Sequence, residues 1–227
     1  MILQYLLETS LPLGTRILGC LFSLIAVLAA LSIHEFSHGL AAYACGDDTA
    51  KSQGRLSFNP LAHLDPVGTI MLLLVGFGWA KPVQINPNRF KKVKLGIIVT
   101  ALAGPLSNFI LSFICAIIYS LFYLLYVVHS IEILFYIALL FMVTGSLSLG
   151  LGIFNLIPVP PLDGSRVLAE CLPPKARYKY YQLERYSMII FIGLLILLRT
   201  TNILGAIHTP IWEFFENIGI SLFSWML

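Results

Sequence analysis

The sequence predicts an all-α protein that crosses a membrane several times. Apolar residues make up 58% of the chain and charged residues only 11%, whereas soluble domains usually carry about 25% charged residues. Three apolar runs, at 17–45, 95–128 and 133–158, each exceed the roughly 20 residues that a helix needs to cross a bilayer. Gly104-Pro105 interrupts the second run, where proline should kink or begin a helix. We therefore expect one membrane-embedded domain, residues 1–227, with these three helices as its core.

A shorter element is expected between the first two core helices, at about 54–85. Residues 67–80 are apolar but too few to cross a bilayer, which is typical of a re-entrant or interfacial segment. The flanking stretches 54–58 and 81–85 each have the length and pattern of a short β-strand. The sequence therefore predicts a re-entrant element with a small β-like component.

The C-terminal part of the chain is expected to return to the membrane at about 186–227. Residues 158–164 contain three prolines and cannot continue a helix, and residues 165–185 are polar and basic. The stretch 186–198 is again apolar. The tail at 203–227 either spans the membrane or lies on its surface as an amphipathic helix, and the sequence leaves both alternatives open.

The charge distribution predicts how the spans are oriented. Most Lys and Arg residues lie in the loops 81–94 and 165–185, and positively charged loops face the cytoplasm. We therefore expect a multi-pass protein of the plasma membrane, with the end of the first span on the cytoplasmic side. Because the basic residues follow membrane topology, they indicate no nucleic-acid partner. The four cysteines show no C-x-x-C spacing and indicate neither a disulfide framework nor a cysteine metal site.

The most informative motif, HEFSH at 34–38, lies inside the first apolar run. His34 and His38 are one helical turn apart on the same face, so they can bind one metal ion. Glu35 is rotated by roughly 100° from His34 and can reach a water at that metal. H-E-x-x-H on a helix is typical of zinc hydrolases. Ionisable residues inside a membrane usually have a function, so the position of the motif predicts hydrolysis within the bilayer.

A catalytic zinc ion needs a third protein ligand, and several residues could supply it. Asp163 lies at a helix break, where irregular backbone can line a polar cavity. Glu170 and His63 are competing candidates. The remaining aspartates lie in polar turns or loops: Asp47, Asp48 and Asp65. We expect Asp47 and Asp48 to be solvated.

Three motifs resemble those of the site-2 proteases, a family of intramembrane zinc metalloproteases. They are HEFSH (34–38), AGPLSN (103–108) and NLIPVPPLDG (155–164), and the last matches N-x-x-P-x-P-x-L-D-G at every fixed position. The stretch 59–66 resembles the small, compact bacterial members. We therefore expect the bacterial or archaeal type that lacks PDZ and CBS domains.

The resemblance implies one Zn²⁺ per chain, held by three residues: His34, His38 and Asp163. It also implies that Glu35 is the general base and that Asn155 donates to the oxyanion or orients the substrate. Asn108 is a second polar candidate for catalysis, although a structural bond to a neighbouring backbone carbonyl is an equal alternative for it. The implied substrate is a transmembrane helix of another protein, which reaches a site on the cytoplasmic side through the lipid bilayer.

Three other classes of protein explain these motifs less well. A catalytically silent membrane adaptor would keep the fold and bind transmembrane helices, but it has no need of Glu35. A di-iron oxidase requires more histidines or paired carboxylates than the chain offers. A transporter with broken helices would leave H-E-x-x-H unexplained.

Overall fold

The computed structural model describes residues 12–65, 68 and 81–226. The expected re-entrant stretch at 67–80 therefore lies outside the described residues, apart from residue 68. The α-helices follow one another in this order: α1 (Leu13–Ala44), α2 (Thr49–Ser52), α3 (Val93–His129), α4 (Glu132–Asn155), α5 (Asp163–Cys171), α6 (Pro174–Gln182), α7 (Ser187–Thr200) and α8 (Ile203–Phe223). Short 3₁₀ helices lie at Pro60–Ala62, Pro87–Arg89, Leu183–Tyr186 and Ser224–Met226.

The core is a bundle in which α1, α3 and α4 each pack against the other two. Among the described residues, four helical stretches are long and apolar enough to cross a membrane, namely α1, α3, α4 and Pro174–Thr200. The prediction of an all-α polytopic membrane protein is confirmed. α3 runs through Pro105 as one continuous helix and does not begin there.

Small and polar side chains face the interior of this bundle, at intervals of four residues. On α1 the buried series is Phe22, Ala26, Ala30, His34, His38 and Ala42. On α3 it is Gly96, Thr100, Gly104, Asn108, Ser112, Ala116, Ser120 and Leu124. Many large apolar residues point outward instead, and on α1 these include Leu13, Ile17, Leu21 and Ile25. Small interior residues let membrane helices approach closely. Because His34 and His38 belong to the buried series of α1, they lie on the face that packs into the bundle.

The Pro-rich stretch after α4 turns the chain back toward the bundle. It contains a cis peptide bond between Pro160 and Pro161, and α5 then begins at Asp163 and packs on α3. A Cβ atom at Gly164 would lie 2.6 Å from the carbonyl carbon of Leu156. Glycine at this position therefore permits the tight return that brings Asp163 to the bundle.

The expected β-strands at 54–58 and 81–85 are not formed, since neither segment is a strand in the structure. Two of their backbone N–H groups have other partners. The Arg55 N–H donates to the Ala50 carbonyl (2.9 Å), and the Val83 N–H donates to a side chain described below. The prediction of two short strands is therefore wrong for these residues.

The C-terminal helices differ in how they contact the core. α7 buries none of its residues and meets α4 through Phe191 and Phe154, whose ring centroids are 6.0 Å apart. α8 packs against both α3 and α4, with Trp212 against Gly145. The tail therefore lies beside two membrane-length helices and is part of the bundle.

The small-residue interface can be tested at two adjacent positions of α1. Ala26 is 0% exposed and Ile25 is 41% exposed. We expect Ala26→Leu to lower the free energy of unfolding by about 1–3 kcal/mol because it overpacks the buried face of α1. Ile25→Leu, on the outward face, should leave the free energy of unfolding unchanged. Unfolding in detergent measures both, and equal effects of the two substitutions would contradict this packing.

Candidate metal centre

Three potential metal ligands converge between α1 and α5. The Nε2 atoms of His34 and His38 are 3.0 Å apart, and Asp163 Oδ2 lies 3.1 Å from the first and 3.2 Å from the second. Both imidazoles are buried. Within the described part of the chain, these residues form the one group of three or more that could hold a metal ion.

The donor atoms fit a zinc ion. His38 Nδ1 is 2.7 Å from the Thr100 carbonyl oxygen, which can only accept a hydrogen bond. Nδ1 therefore carries the proton, and Nε2 presents a lone pair. Asp163 Oδ2 is also buried and has no hydrogen-bond partner among the described residues. Two lone-pair donors that face each other in this way need a cation between them. Tetrahedral zinc places its ligand atoms about 3.3 Å apart, close to the separations in this cluster.

Gly104 explains how α3 approaches the ligands so closely. A Cβ atom at this position would lie 2.6 Å from His38 Cε1 and 2.7 Å from His34 Cε1. Any larger residue would displace both imidazoles. The glycine of the AGPLSN motif is therefore a steric requirement of the metal centre.

Asn108 lies behind His34 and does not line the cavity. It is fully buried, and its amide is 3.1 Å from His34 Nδ1. Ser148 Oγ lies 3.1 Å from the main-chain oxygen of Asn108 and 3.3 Å from its Oδ1. Asn108 is thus placed to orient a ligand and has no contact with the space that a substrate would occupy.

The hydrogen-bond network around Asn108 indicates which amide atom faces His34. If Nε2 of His34 binds a metal, Nδ1 carries the proton and must donate. The amide oxygen of Asn108 should therefore face Nδ1, with its nitrogen donating to Ser148 Oγ. Ser148 in turn donates to the main-chain carbonyl of Asn108, so each group in the network has a partner.

A cavity of about 440 Å³ adjoins the three ligands. Glu35 and Asn155 line it, as does the segment 82–90. Glu35 Oε2 accepts a hydrogen bond from the Val83 N–H (3.0 Å). The Asn155 amide donates one hydrogen to the Leu151 carbonyl (3.0 Å), and its second hydrogen and its oxygen are available for other partners.

The competing ligand candidates are engaged elsewhere. Nε2 of His63 lies 2.7 Å from the Ser57 carbonyl oxygen. Glu170 forms an ion pair of 3.1 Å with Arg177, and Asp48 pairs with Arg89. None of these residues, nor Asp65, belongs to the cluster.

Asp47 is fully buried, so the prediction that it is solvated is wrong. Burial raises the pKa of Asp47, but hydrogen bonds from the Thr49 hydroxyl and from the Asn86 and Thr49 amides outweigh this effect, with help from Arg89. The net result is a pKa below the usual value for aspartate. A lowered pKa means that the stabilisation is present above about pH 4 and is lost as pH falls through the folded-state pKa. At neutral pH Asp47 is an ionised, hydrogen-bonded carboxylate.

Comparison with known proteins identifies the family. The family model described as peptidase family M50 matches residues 125–199, which include Asn155 and Asp163. The chain is also 41% identical over 181 residues to "Putative zinc metalloprotease YwhC" of Bacillus subtilis (strain 168), covering 77% of this chain and 80% of that protein. This chain belongs to peptidase family M50, the site-2 protease family. It is therefore a zinc metalloprotease, and the predicted resemblance is confirmed.

Matches to two more distant relatives cover a similar part of the chain. Two proteins named "Putative zinc metalloprotease Rip2", from Mycolicibacterium smegmatis and Mycobacterium tuberculosis, are 25% and 24% identical to it. Each match covers 86% of this chain and 73% of the relative. No solved structure matches the chain significantly.

The role of Asn108 can be tested through zinc affinity. Asn108→Leu removes the acceptor for His34 Nδ1, and we expect it to weaken zinc binding about 10–100-fold. Asn108→Asp keeps an acceptor at the same place and should bind zinc at least as tightly as the wild type. Competition with a chelator of known affinity measures both variants. Equal weakening by both substitutions would show that packing, and not the hydrogen bond, is what matters.

Proposed function

We propose that this M50 metalloprotease is an intramembrane endopeptidase that cleaves other membrane proteins in or near their transmembrane segments. The observation that carries the proposal is the position of the ligand cluster. Two of its members lie on α1, a helix of 32 residues that is long and apolar enough to cross a membrane. A substrate that reaches this cluster must enter the space between membrane-length helices.

The depth of the site can be gauged along the helices. His34 lies ten residues before the end of α1 at Ala44, and Thr100 lies seven residues after the start of α3 at Val93. At 1.5 Å per residue these positions are about 10–15 Å from the helix ends. The hydrocarbon core of a bilayer is about 30 Å thick. Both helices are longer than this thickness, and the ligands lie nearer to one of their ends, which supports a site in the half of the membrane on that side.

Charge supports a cytoplasmic location for that side. Of the 14 Lys and Arg residues, all except Arg16 and Arg199 lie within 51–94 and 166–185. These segments follow α1, precede α3 and follow α4, so they share the end of the bundle that is nearer to the metal centre. By the positive-inside rule this end faces the cytoplasm, and we propose the plasma membrane as the location.

The residues around the cavity divide the catalytic work between them. His34, His38 and Asp163 would hold one zinc ion per chain. Zinc, when bound, supplies a Lewis acid and lowers the pKa of water. Glu35 accepts the proton of the attacking water and returns it to the leaving amine. Asn155 directs its remaining amide hydrogen toward the scissile carbonyl and stabilises the developing negative charge.

A catalytically silent adaptor is the main alternative, and Glu35 argues against it. An adaptor needs a surface that binds helices, but it does not need a carboxylate beside the metal ligands. In this chain the Glu35 carboxylate lines the cavity and is held by the Val83 amide. This arrangement suits a base that must keep a fixed orientation.

Replacement of Glu35 tests the proposed function directly. Glu35→Gln removes the base but keeps the shape of the side chain, so cleavage of a transmembrane substrate in lipid vesicles should be abolished while zinc remains bound. Glu132→Gln, at the exposed start of α4, is the matched control and should cleave like the wild type. Comparison of membrane-retained fragments between the wild type and Glu35→Gln identifies natural substrates. Undiminished processing by Glu35→Gln would contradict the mechanism.

Cysteine labelling tests the orientation. Cys171 is exposed at the end of α5, on the side that we place in the cytoplasm. With Cys171 as the single cysteine, an impermeant maleimide should label inside-out vesicles but not intact cells. A cysteine at exposed Ile131, between α3 and α4, should show the opposite pattern. Labelling of Cys171 in intact cells would reverse the proposed topology.

A further inference from the structure

The carboxylate of Asp47 lies just beyond the end of α1, where it is buried and accepts three hydrogen bonds. Its Oδ1 accepts bonds from the Thr49 N–H (3.0 Å) and hydroxyl (2.5 Å). Its Oδ2 accepts a bond from the Asn86 N–H (2.6 Å). A charge is tolerated away from water only where donors surround it. The fold therefore provides Asp47 with a dedicated set of partners, although Asp47 is not a member of the ligand cluster.

The bond to Asn86 connects the end of α1 to the segment 81–91, which lies across the cavity. The same segment is joined to α1 at a second point, where the Lys91 N–H donates to the Cys45 carbonyl (3.1 Å). Pro82, Val83, Ile85, Pro87 and Phe90 from this segment line the cavity. Asp47 thus helps to hold one wall of the candidate active site.

Asn86 is also close in sequence to the residue that contacts the base. Val83 precedes it by three residues and donates its N–H to Glu35 Oε2 (3.0 Å). Three residues of extended chain span at most about 11 Å. Fixing the Asn86 amide therefore restricts the positions that the Val83 amide can reach.

Two further contacts join this segment to the region after α1, but both are exposed. One is the ion pair of Arg89 with Asp48, and the other is the hydrogen bond of Gln53 with Gln84 (3.0 Å). Exposed contacts of this kind contribute little. Hydrogen bonds to a buried carboxylate are shorter and stronger. The bond from the Asn86 N–H to Asp47 therefore holds the segment 81–91 more firmly than either exposed contact does.

We propose that Asp47 is a positioning residue of the active site. Its carboxylate fixes the Asn86 amide and thereby holds the Val83 N–H against Glu35, so that the base keeps its orientation. The proposal rests on the proposed function only where it assigns Glu35 as the base. Its structural half, the attachment of residues 83–86 to Asp47, stands independently of catalysis.

The experiment compares Asp47→Asn with Asp48→Asn in the full-length, zinc-loaded protein in lipid vesicles. Asp47→Asn has almost the same shape, but it places an amide group where two acceptor oxygens are needed. Asp48→Asn makes the same change of charge at the exposed neighbour. For each variant, three quantities are measured: kcat and KM on a transmembrane peptide that the wild type cleaves and Glu35→Gln does not, zinc bound per chain, and hydrogen–deuterium exchange of amides 83–86.

We expect Asp47→Asn to lower kcat about 10-fold or more, as for the loss of a charged hydrogen bond. Its KM should stay within about threefold of the wild-type value, because the lost interaction acts on the base. Exchange at 83–86 should become faster while zinc content is unchanged, since the ligands are supported by α3. Asp48→Asn should match the wild type in all three measurements.

Three results would overturn the proposal: unchanged exchange at 83–86 in Asp47→Asn, faster exchange with unchanged kcat, or a loss of zinc that accounts for the loss of activity. Failure of the proposed function has a different signature, because the wild type and Glu35→Gln would then behave alike on every peptide. The exchange measurement still tests the attachment of residues 83–86 to Asp47 in that case.

Discussion

The structure depends on keeping one carboxylate and two imidazoles together inside an apolar bundle. Such groups are costly to bury unless they are paired or bind a metal, and α3 provides most of the support. The Thr100 carbonyl holds His38, and Asn108 holds His34. Zn²⁺ with Asp163 and an ionised Glu35 would have no net formal charge, which lowers the cost of holding the cluster inside an apolar bundle. The close approach at Gly104 is what lets one helix support both ligands.

The part of the site that could be predicted from the sequence is the local part. His34 and His38 share a face because four residues make about one helical turn, so their convergence follows from spacing alone. Asp163 is different, because spacing left it in competition with Glu170 and His63, and the family resemblance selected it. The small residues at every fourth position of α3 are visible in the sequence, and they signal the helix interface that surrounds the ligands. Asn108 belongs to this series of every fourth residue, so the spacing itself indicates that Asn108 faces the helix interface.

The features that sequence analysis missed depend on contacts between distant residues. Asp47 lies in a polar stretch that resembles a solvated turn, but its partner Asn86 is 39 residues further along the chain. The pattern at 81–85 suggests a strand, yet the Val83 amide is bound to Glu35, 48 residues earlier. No local pattern encodes either bond. One bond joins α1 itself to the wall of the cavity and the other joins the turn after α1 to it, so α1 and this wall are held together.

We propose that one zinc ion is bound within the bundle by three residues: His34, His38 and Asp163. X-ray absorption at the zinc edge of the purified protein tests it most directly, because it reports the ligand types and their distances. We expect two imidazole nitrogens at about 2.0–2.1 Å with oxygen ligands completing a four-coordinate site and no sulfur. In the variant Asp163→Ala, zinc should be lost or should show one fewer protein ligand. Sulfur ligands, or a spectrum that Asp163→Ala leaves unchanged, would show that these three residues do not form the zinc site.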